Sequence, residues 1–439
     1  MKKFALFLCA ILAATNLLFS QPMAIAPAPA PTVQAALPVH PEINLSLINT
    51  SATFAQKEAE KDFPFMVEVR RYLHQYPEVS FKEEQTSKYI RQKLDALGIQ
   101  YKIAGQYGIV AILKGAGPGK TVALRADMDA LNIEELTNLD FKSKNNGVMH
   151  ACGHDAHMAM LLAAADILNR NKSQFNGTIK ILFQQAEEMG AGALMMIKAG
   201  VLDDVDAIFG IHQSAEFPLG EFHISEKSIM AANAIFTVKV TGKGGHGASP
   251  NLAIDALTSA AAMVQDLQYL VSREMAPQEP VVVSVCTFNS GTRANIIAET
   301  AEFSGTIRYF NPALQYVIEN AFKRIIKGVG DAHRVTSEVK YLHAGIPTYN
   351  DPALTDLARA TAASVVGPSK VVDYGRAMEA EDFAFYQQKK PGVFVFLGSG
   401  DSSKNMPLHS PRYDIVEESM ITGAAMHVQF ALNYLAAVK

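Results

Sequence analysis

Ten residues, Val148 to His157, carry a thiol (Cys152), three imidazoles (His150, His154, His157) and a carboxylate (Asp155). That density of metal-binding side chains exceeds what a connecting loop needs. Three more segments add donors of the same kind, and each reads as an apolar strand leading to a ligating residue. Thr178–Phe183 runs into Glu187 and Glu188, Ala207–Ile211 ends on His212, and Gly392–Leu397 leads through a polar loop to His409. Cys152, His154, Glu188, His212 and His409 together offer one thiolate, three imidazoles and one carboxylate. Five side chains exceed the needs of one four-coordinate ion that keeps an open position. Two divalent ions sharing a bridging group, either Cys152 or a hydroxide, fit the set better, and paired ions activate water and clamp the oxygens of a tetrahedral intermediate. The adjacent glutamates can divide the work, one ligating while the other moves a proton from water to the leaving amine.

Other polar residues have competing explanations. Asp127 and Asp129 either ligate or, as the expected job, orient a ligating imidazole from behind; capping a loop is the plain alternative. Taken singly, His212 and His409 would be assigned structural roles, and only their joint placement after strands reverses that. His74, His223, His333, His343 and His427 have no partner pattern and are expected on the surface or satisfied in the core. Asp155 suits the N-cap of the following helix at least as well as a site. Cys286, in the apolar run Val281–Cys286, is expected to be a small buried hydrophobe. With Cys9 in the leader, the two remaining cysteines give no disulfide framework.

The elements that must position these residues alternate. Strands are expected at 108–113, 121–126, 178–183 and 207–212, with helices at about 157–169 and 191–199. Two helices precede them, one carrying Phe65, Val69, Tyr72 and Leu73 and closed by Pro77, and one over about 83–97 stopped by Gly98. Short, almost wholly apolar strands imply burial on both faces, hence a mostly parallel sheet covered by helices, with sites outside the carboxyl ends of its strands. The pattern then changes to strand 234–241, helix 251–273, strands 280–288 and 299–310, helix 312–327 and strand 334–342. That β-α-β-β-α-β order is ferredoxin-like. The expected organisation is a catalytic domain in two parts, 56–230 and 344–439, interrupted by an inserted lid or dimerisation domain at 231–343.

Composition narrows the rest. The chain of 439 residues is 49% hydrophobic and 19% charged, ordinary for a globular enzyme, and its net charge of −4 gives no support for nucleic-acid binding. Lys2 and Lys3 precede an apolar run to Phe19, and Ala24-Ile25-Ala26 supplies small residues for cleavage. Residues 1–26 are therefore expected to be a signal peptide and the protein to be exported, periplasmic or secreted, with no stable membrane span after processing. Residues 27–55, rich in Ala and Pro and then Ser, Thr and Asn, read as a flexible linker.

With these segments in view, the chain resembles the family of metal-dependent amidohydrolases that includes hippurate hydrolase, aminoacylase, auxin-conjugate hydrolases and related carboxypeptidases. The likeness rests on Arg71-Tyr72-Leu73-His74 with Pro77-Glu78, Arg125–Leu131, Met149–Asp155, Ala186-Glu187-Glu188, Gly210-Ile211-His212, Gly244-Gly245-His246, Gly305–Arg308, Glu381-Asp382-Phe383 and Leu408–Pro411. The ordered set is far more specific than any piece. The resemblance implies two divalent metals, zinc, manganese or cobalt, on the five ligands above. It implies Glu187 as general base and acid with Glu188 ligating, and a lid that mediates a homodimer. It also implies that His246 holds the reacting carbonyl oxygen, often in a partner's site, and that Asn295 and Arg308 contact substrate, where the positive Arg308 suits a carboxylate. Gln185, Asn132, Gly247 and Gln213-Ser214-Ala215 depart from the family pattern, which bears on substrate preference. On its own, Thr241–Pro250 reads as a tight turn with an exposed histidine.

The reading that results is an exported dinuclear hydrolase of N-acyl or N-aroyl amino acids. Its rivals are a metallo-carboxypeptidase or dipeptidase acting on short peptides, a thiol hydrolase using Cys152, and a binding module that has lost turnover.

Overall fold

The computed structural model describes residues 38–438. The signal peptide expected over 1–26 and the linker over 27–37 lie outside the described residues. Four runs of continuous apolar sequence form the centre of an eight-stranded mixed sheet. Thr178–Gln184, Thr121–Asp127, Ala207–Pro218 and Gly392–Gly400 lie side by side in that order and parallel to one another. Their side chains are buried almost without interruption, as expected for strands covered on both faces. Gly108–Lys114 and Tyr101–Ala104 extend one side in antiparallel fashion, and the two-residue strands Phe222–His223 and Val371–Val372 complete the other.

One sheet face is covered by helices that are apolar nearly all round. His154–Arg170 and Ser419–Ala437 both bury most of their side chains, a pattern that requires neighbours on every side. Phe63–Gln75 and Pro352–Val366 pack against them. The other face carries a smaller core built from Met196, Phe383, Tyr386, Phe394 and Phe396.

The insertion has a core of its own. Its sheet runs in the order Val281–Ser290, Thr300–Tyr309, Ala232–Thr241 and Thr336–His343, all antiparallel. Helices Ala256–Tyr269 and Gln315–His333 cover one face, where Phe322 of the second helix packs on Phe236 and Phe303 of the sheet. Burying each of those rings stabilises the fold by roughly 1.5–3 kcal/mol. The opposite face of this sheet is left open.

Several expectations need correction. The linker expected to run to 55 is docked over its described part. Ile43 bridges Val438, Asn44 donates its backbone N–H to the Ala437 carbonyl, and Asn433 accepts from the Asn49 N–H. Ala52 and Ala55 are buried and a helix begins at Thr53, so small residues that read as flexible are a close-packed strap on the Ser419–Ala437 helix. His212 lies inside its strand, which continues to Pro218 because Gly392–Gly400 gives it a parallel partner, continuous to Ser214 and regained at Pro218 after a register shift. Cys286 is exposed, since its edge strand has a bulge between Val285 and Thr287 and its second half projects beyond the core. Asp155 caps nothing: its helix starts at His154, and the carboxylate is buried against Arg70 and His74.

Candidate metal centre and substrate cleft

The carboxyl ends of the central strands open into a cleft of about 970 Å³ whose walls come from the sheet, the loop to His409 and the lid. Gly153, in the left-handed region at φ 83°, turns the chain so that Cys152 faces the cleft and His154 begins its helix; a Cβ there would meet the Gln213 amide at 2.7 Å. Ala186 and His409 are also left-handed, at φ 51° and 63°, which places two of the five non-glycine residues with positive φ among the described residues directly at this site.

The five expected ligands meet here. Cys152, His154 and His212 present donor atoms within 4.8 Å of one another, and so do Cys152, Glu188 and His409. The Cys152 Sγ lies 3.4 Å from His212 Nε2, and Glu188 Oε1 lies 3.5 Å from His409 Nε2 and 3.9 Å from His154 Nε2. Each buried imidazole is oriented from its far side. His154 Nδ1 donates to the Asp129 carbonyl and His212 Nδ1 to the Gln213 carbonyl, both at 2.8 Å, which leaves the two Nε2 atoms to face inward as acceptors.

A cation would complete this arrangement. His154 Nε2 and Glu188 Oε1 are buried and have no hydrogen-bond partner among the described residues. Unanswered buried acceptors are costly, and here they converge from separate elements. Burial works against charge on His154, yet Asp127, Asp129 and Glu188 raise its pKa to about 10, so the surroundings favour positive charge at that position. Burial, then Glu188 and Glu187, push the Cys152 thiol well above its ordinary range. That is the reverse of what a thiol nucleophile needs, and it counts against the thiol-hydrolase reading.

Glu187 shares one 4.8 Å group of donor atoms with His154 and Glu188 and another with Glu381 and Asp382. Its Oε1 accepts the Asp382 backbone N–H at 3.4 Å. Burial first, then repulsion from Glu381, Glu188 and Asp382, lifts its carboxyl well above the usual range. A carboxyl raised in this way can hold a proton as well as take one.

Asp127 and Asp129 sit behind the donors, with different tasks. Asp127 accepts from His157 Nδ1 and from Arg125, each at 2.7 Å. His157 Nε2 in turn accepts the Gln213 N–H, so both nitrogens of that ring are used. Asp129 takes the backbone N–H groups of Glu187 and Glu188 on its two oxygens, at 3.1 and 3.0 Å, and so fixes the glutamate pair. Sequence reasoning missed a third clamp. Glu83 is fully buried, accepts the Ala186 N–H at 2.7 Å and has its carboxyl lifted by burial to about 7. An acid at a helix start looks like an ordinary first-turn residue, so no pattern marks it. The partners Glu381 and Asp382, held by Arg125 at 3.0 Å each, stood in the sequence only as part of a family motif.

The lid residues divide. Arg308 lines the cleft, whereas His246 and Asn295 do not. His246 pairs with Ile296 in a small ladder beyond Thr241, and both His246 and Asn295 are exposed. The cleft lies at the Asn233 end of the ten-residue strand Ala232–Thr241, and that ladder lies beyond its other end, a strand length of roughly 30 Å along the sheet.

Comparison with known proteins agrees with this geometry. The model of peptidase family M20/M25/M40 matches residues 123–433. Thermostable carboxypeptidase 1 of Saccharolobus solfataricus is 40% identical over 377 residues, covering 84% of this chain and 95% of the relative. IAA-amino acid hydrolase ILR1-like 4 of Arabidopsis thaliana is 37% identical over 388 residues, 86% of this chain and 87% of the relative. The crystal structure of the Bacillus subtilis YXEP protein, a dinuclear metal-binding peptidase of the M20 family, superposes with a TM-score of 0.77 at 32% identity, covering 86% of this chain and all of that one.

Proposed function

The chain belongs to peptidase family M20/M25/M40 and is a metal-dependent hydrolase, and from that premise we propose that it cleaves the amide of N-acyl or N-aroyl amino acids to a carboxylic acid and a free amino acid. The observation that carries this reading is a single cleft lined by Cys152, Glu188, His212 and His409, with His154 grouped among them, together with the raised Glu187 carboxyl and the Arg308 guanidinium. Cys152, His154, Glu188, His212 and His409 would hold two divalent ions, zinc, manganese or cobalt. Such ions supply Lewis acidity toward a carbonyl oxygen and bring the pKa of water toward neutrality.

The chain's own groups account for the rest. Arg308 fits the carboxylate that only the amino-acid half of the substrate carries. Glu187 takes the proton of the attacking water on its carboxylate and gives it to the departing amine. Asp129 and Glu83 keep that carboxylate in place through three successive backbone N–H groups, so its position does not depend on its own rotamer alone. The relative named as an IAA-amino acid hydrolase favours an N-acyl amino acid, while the relative named as a carboxypeptidase supports short peptides as the second reading. Export to the periplasm or medium, and a homodimer in which an exposed His246 serves the cleft of a second copy, belong to the same proposal.

The test is hydrolysis of a panel of N-benzoyl and N-acetyl amino acids beside matched dipeptides, with metal content measured on the same samples. Turnover of the conjugates with about two bound ions per chain supports the proposal. Turnover of dipeptides alone would transfer it to the peptidase reading.

A further inference from the structure

The lid's open sheet face is polar over most of its length, with Thr237, Lys239, Thr306 and Lys340 on it. Two large aliphatic residues break that pattern. Ile235 is 44% exposed and Leu342 61% exposed, and they are direct cross-strand partners, so their side chains share the open face. Ile235 also lines the cleft. Two residues back on the same strand, Asn233 pairs with Arg308 of the neighbouring strand on the other side, and both line the cleft. The Asn233 Oδ1 is buried and has no hydrogen-bond partner among the described residues. A cation, an unsatisfied amide and an aliphatic pair therefore stand in order on one wall. Along a strand, residues two apart are separated by about 7 Å.

We propose that this wall is the subsite for the leaving amino acid and selects an aliphatic side chain, as in leucine, isoleucine, valine or methionine. The inference rests on the amide-hydrolase reading above. Arg308 and Asn233 take the groups every N-acyl amino acid has, the α-carboxylate and the amide N–H beside it. Ile235, extended by Leu342, takes the side chain on the same α-carbon and in doing so removes apolar surface of both partners from water. Glycine conjugates offer nothing to that surface. Aspartate and glutamate conjugates would place a charge against it, which is disfavoured. Selectivity of this origin acts through binding and appears in KM more than in kcat.

The experiment compares kcat and KM for N-benzoyl-leucine, N-benzoyl-glycine and N-benzoyl-glutamate in the metal-loaded enzyme and in Ile235→Ser, Leu342→Ser and Tyr269→Ser. Tyr269 is an exposed side chain on the lid's helical side and serves as the control. The expected wild-type preference for leucine over glycine in kcat/KM is about tenfold or more, with glutamate the poorest, as hydrophobic pockets discriminate by a side chain. Ile235→Ser reduces the leucine-to-glycine ratio at least about threefold through KM, Leu342→Ser does so less, and Tyr269→Ser keeps the wild-type ratio. A wild-type ratio near one, or a ratio that survives Ile235→Ser, overturns the subsite. Failure to cleave any conjugate removes the amide-hydrolase reading and this inference with it, whereas turnover without discrimination removes this inference alone.

Discussion

Two buried polar clusters lie back to back in this molecule and are built from the same kinds of residue. Behind the His154–Arg170 helix, Arg70 pairs with Asp155, Asp414 and Glu417, and His74 bridges Asp155 and Glu135 at 2.9 and 3.3 Å. There each of these charges meets its opposite. In front of the same helix, beside Cys152 and His212, His154 and Glu188 leave buried acceptors unanswered, and negative charge is in excess. The first arrangement stabilises a fold, because paired and hydrogen-bonded charges do not gain from change. The second holds a deficit that only a bound cation removes. Adjacent residues of one turn, His154 and Asp155, thus serve opposite ends.

The largest separation of the two clusters should come from chelation. Removing divalent metal is expected to abolish turnover, and zinc, manganese or cobalt should restore it, while far-UV circular dichroism of the stripped protein stays native. Stripped protein that keeps full activity would dissolve the contrast. Replacing Glu187 by Gln should lower kcat by roughly 10²–10⁴-fold with bound metal unchanged by elemental analysis. A Glu187→Gln enzyme that turns over normally defeats the proton-transfer assignment. On the other side of the helix, Asp155→Ala strips partners from Arg70 and His74 and should cost about 3–5 kcal/mol in urea unfolding. An effect under about 1 kcal/mol would mean that the rear cluster is not the stabilising one.

The smallest effect is one of pH. The Asp155 and Glu135 carboxylates overcome burial and raise the His74 pKa from 6.5 to about 9. Its stabilisation is therefore complete below about pH 6.5 and is lost as pH rises toward 9. The unfolding midpoint should fall over that window in the wild type and fall less in His74→Gln. Parallel curves for the two proteins would show that His74 does not carry the charge assigned to it.

What could be read in advance follows from the same contrast. The donors were legible because thiol, imidazole and carboxylate side chains are rare after apolar strands, and chain order put them at one sheet edge. The groups that hold them were not. Asp129 acts through its oxygens on backbone N–H groups, and Glu83 reaches Ala186 across a long stretch of sequence, which no spacing rule records. His246 and Asn295 could be named by resemblance, but their distance from the cleft follows from the length of one lid strand and the direction in which it leaves the sheet. The strap over 43–55 read as flexible because its small and polar residues show no periodicity; its order comes from the helix on which it lies.

That strap has a kinetic consequence. Its partner is the Ser419–Ala437 helix, and the strand Gly392–Gly400 enters the sheet beside Ala207–Pro218 rather than at an edge. Early and late stretches of polypeptide must therefore meet before the central layer is whole. A nascent chain still attached to the ribosome exposes an unfilled slot until residues 392–437 have emerged. Refolding from denaturant, which must close the same long loops, should accordingly be slow, with aggregation competing through the open strand edges.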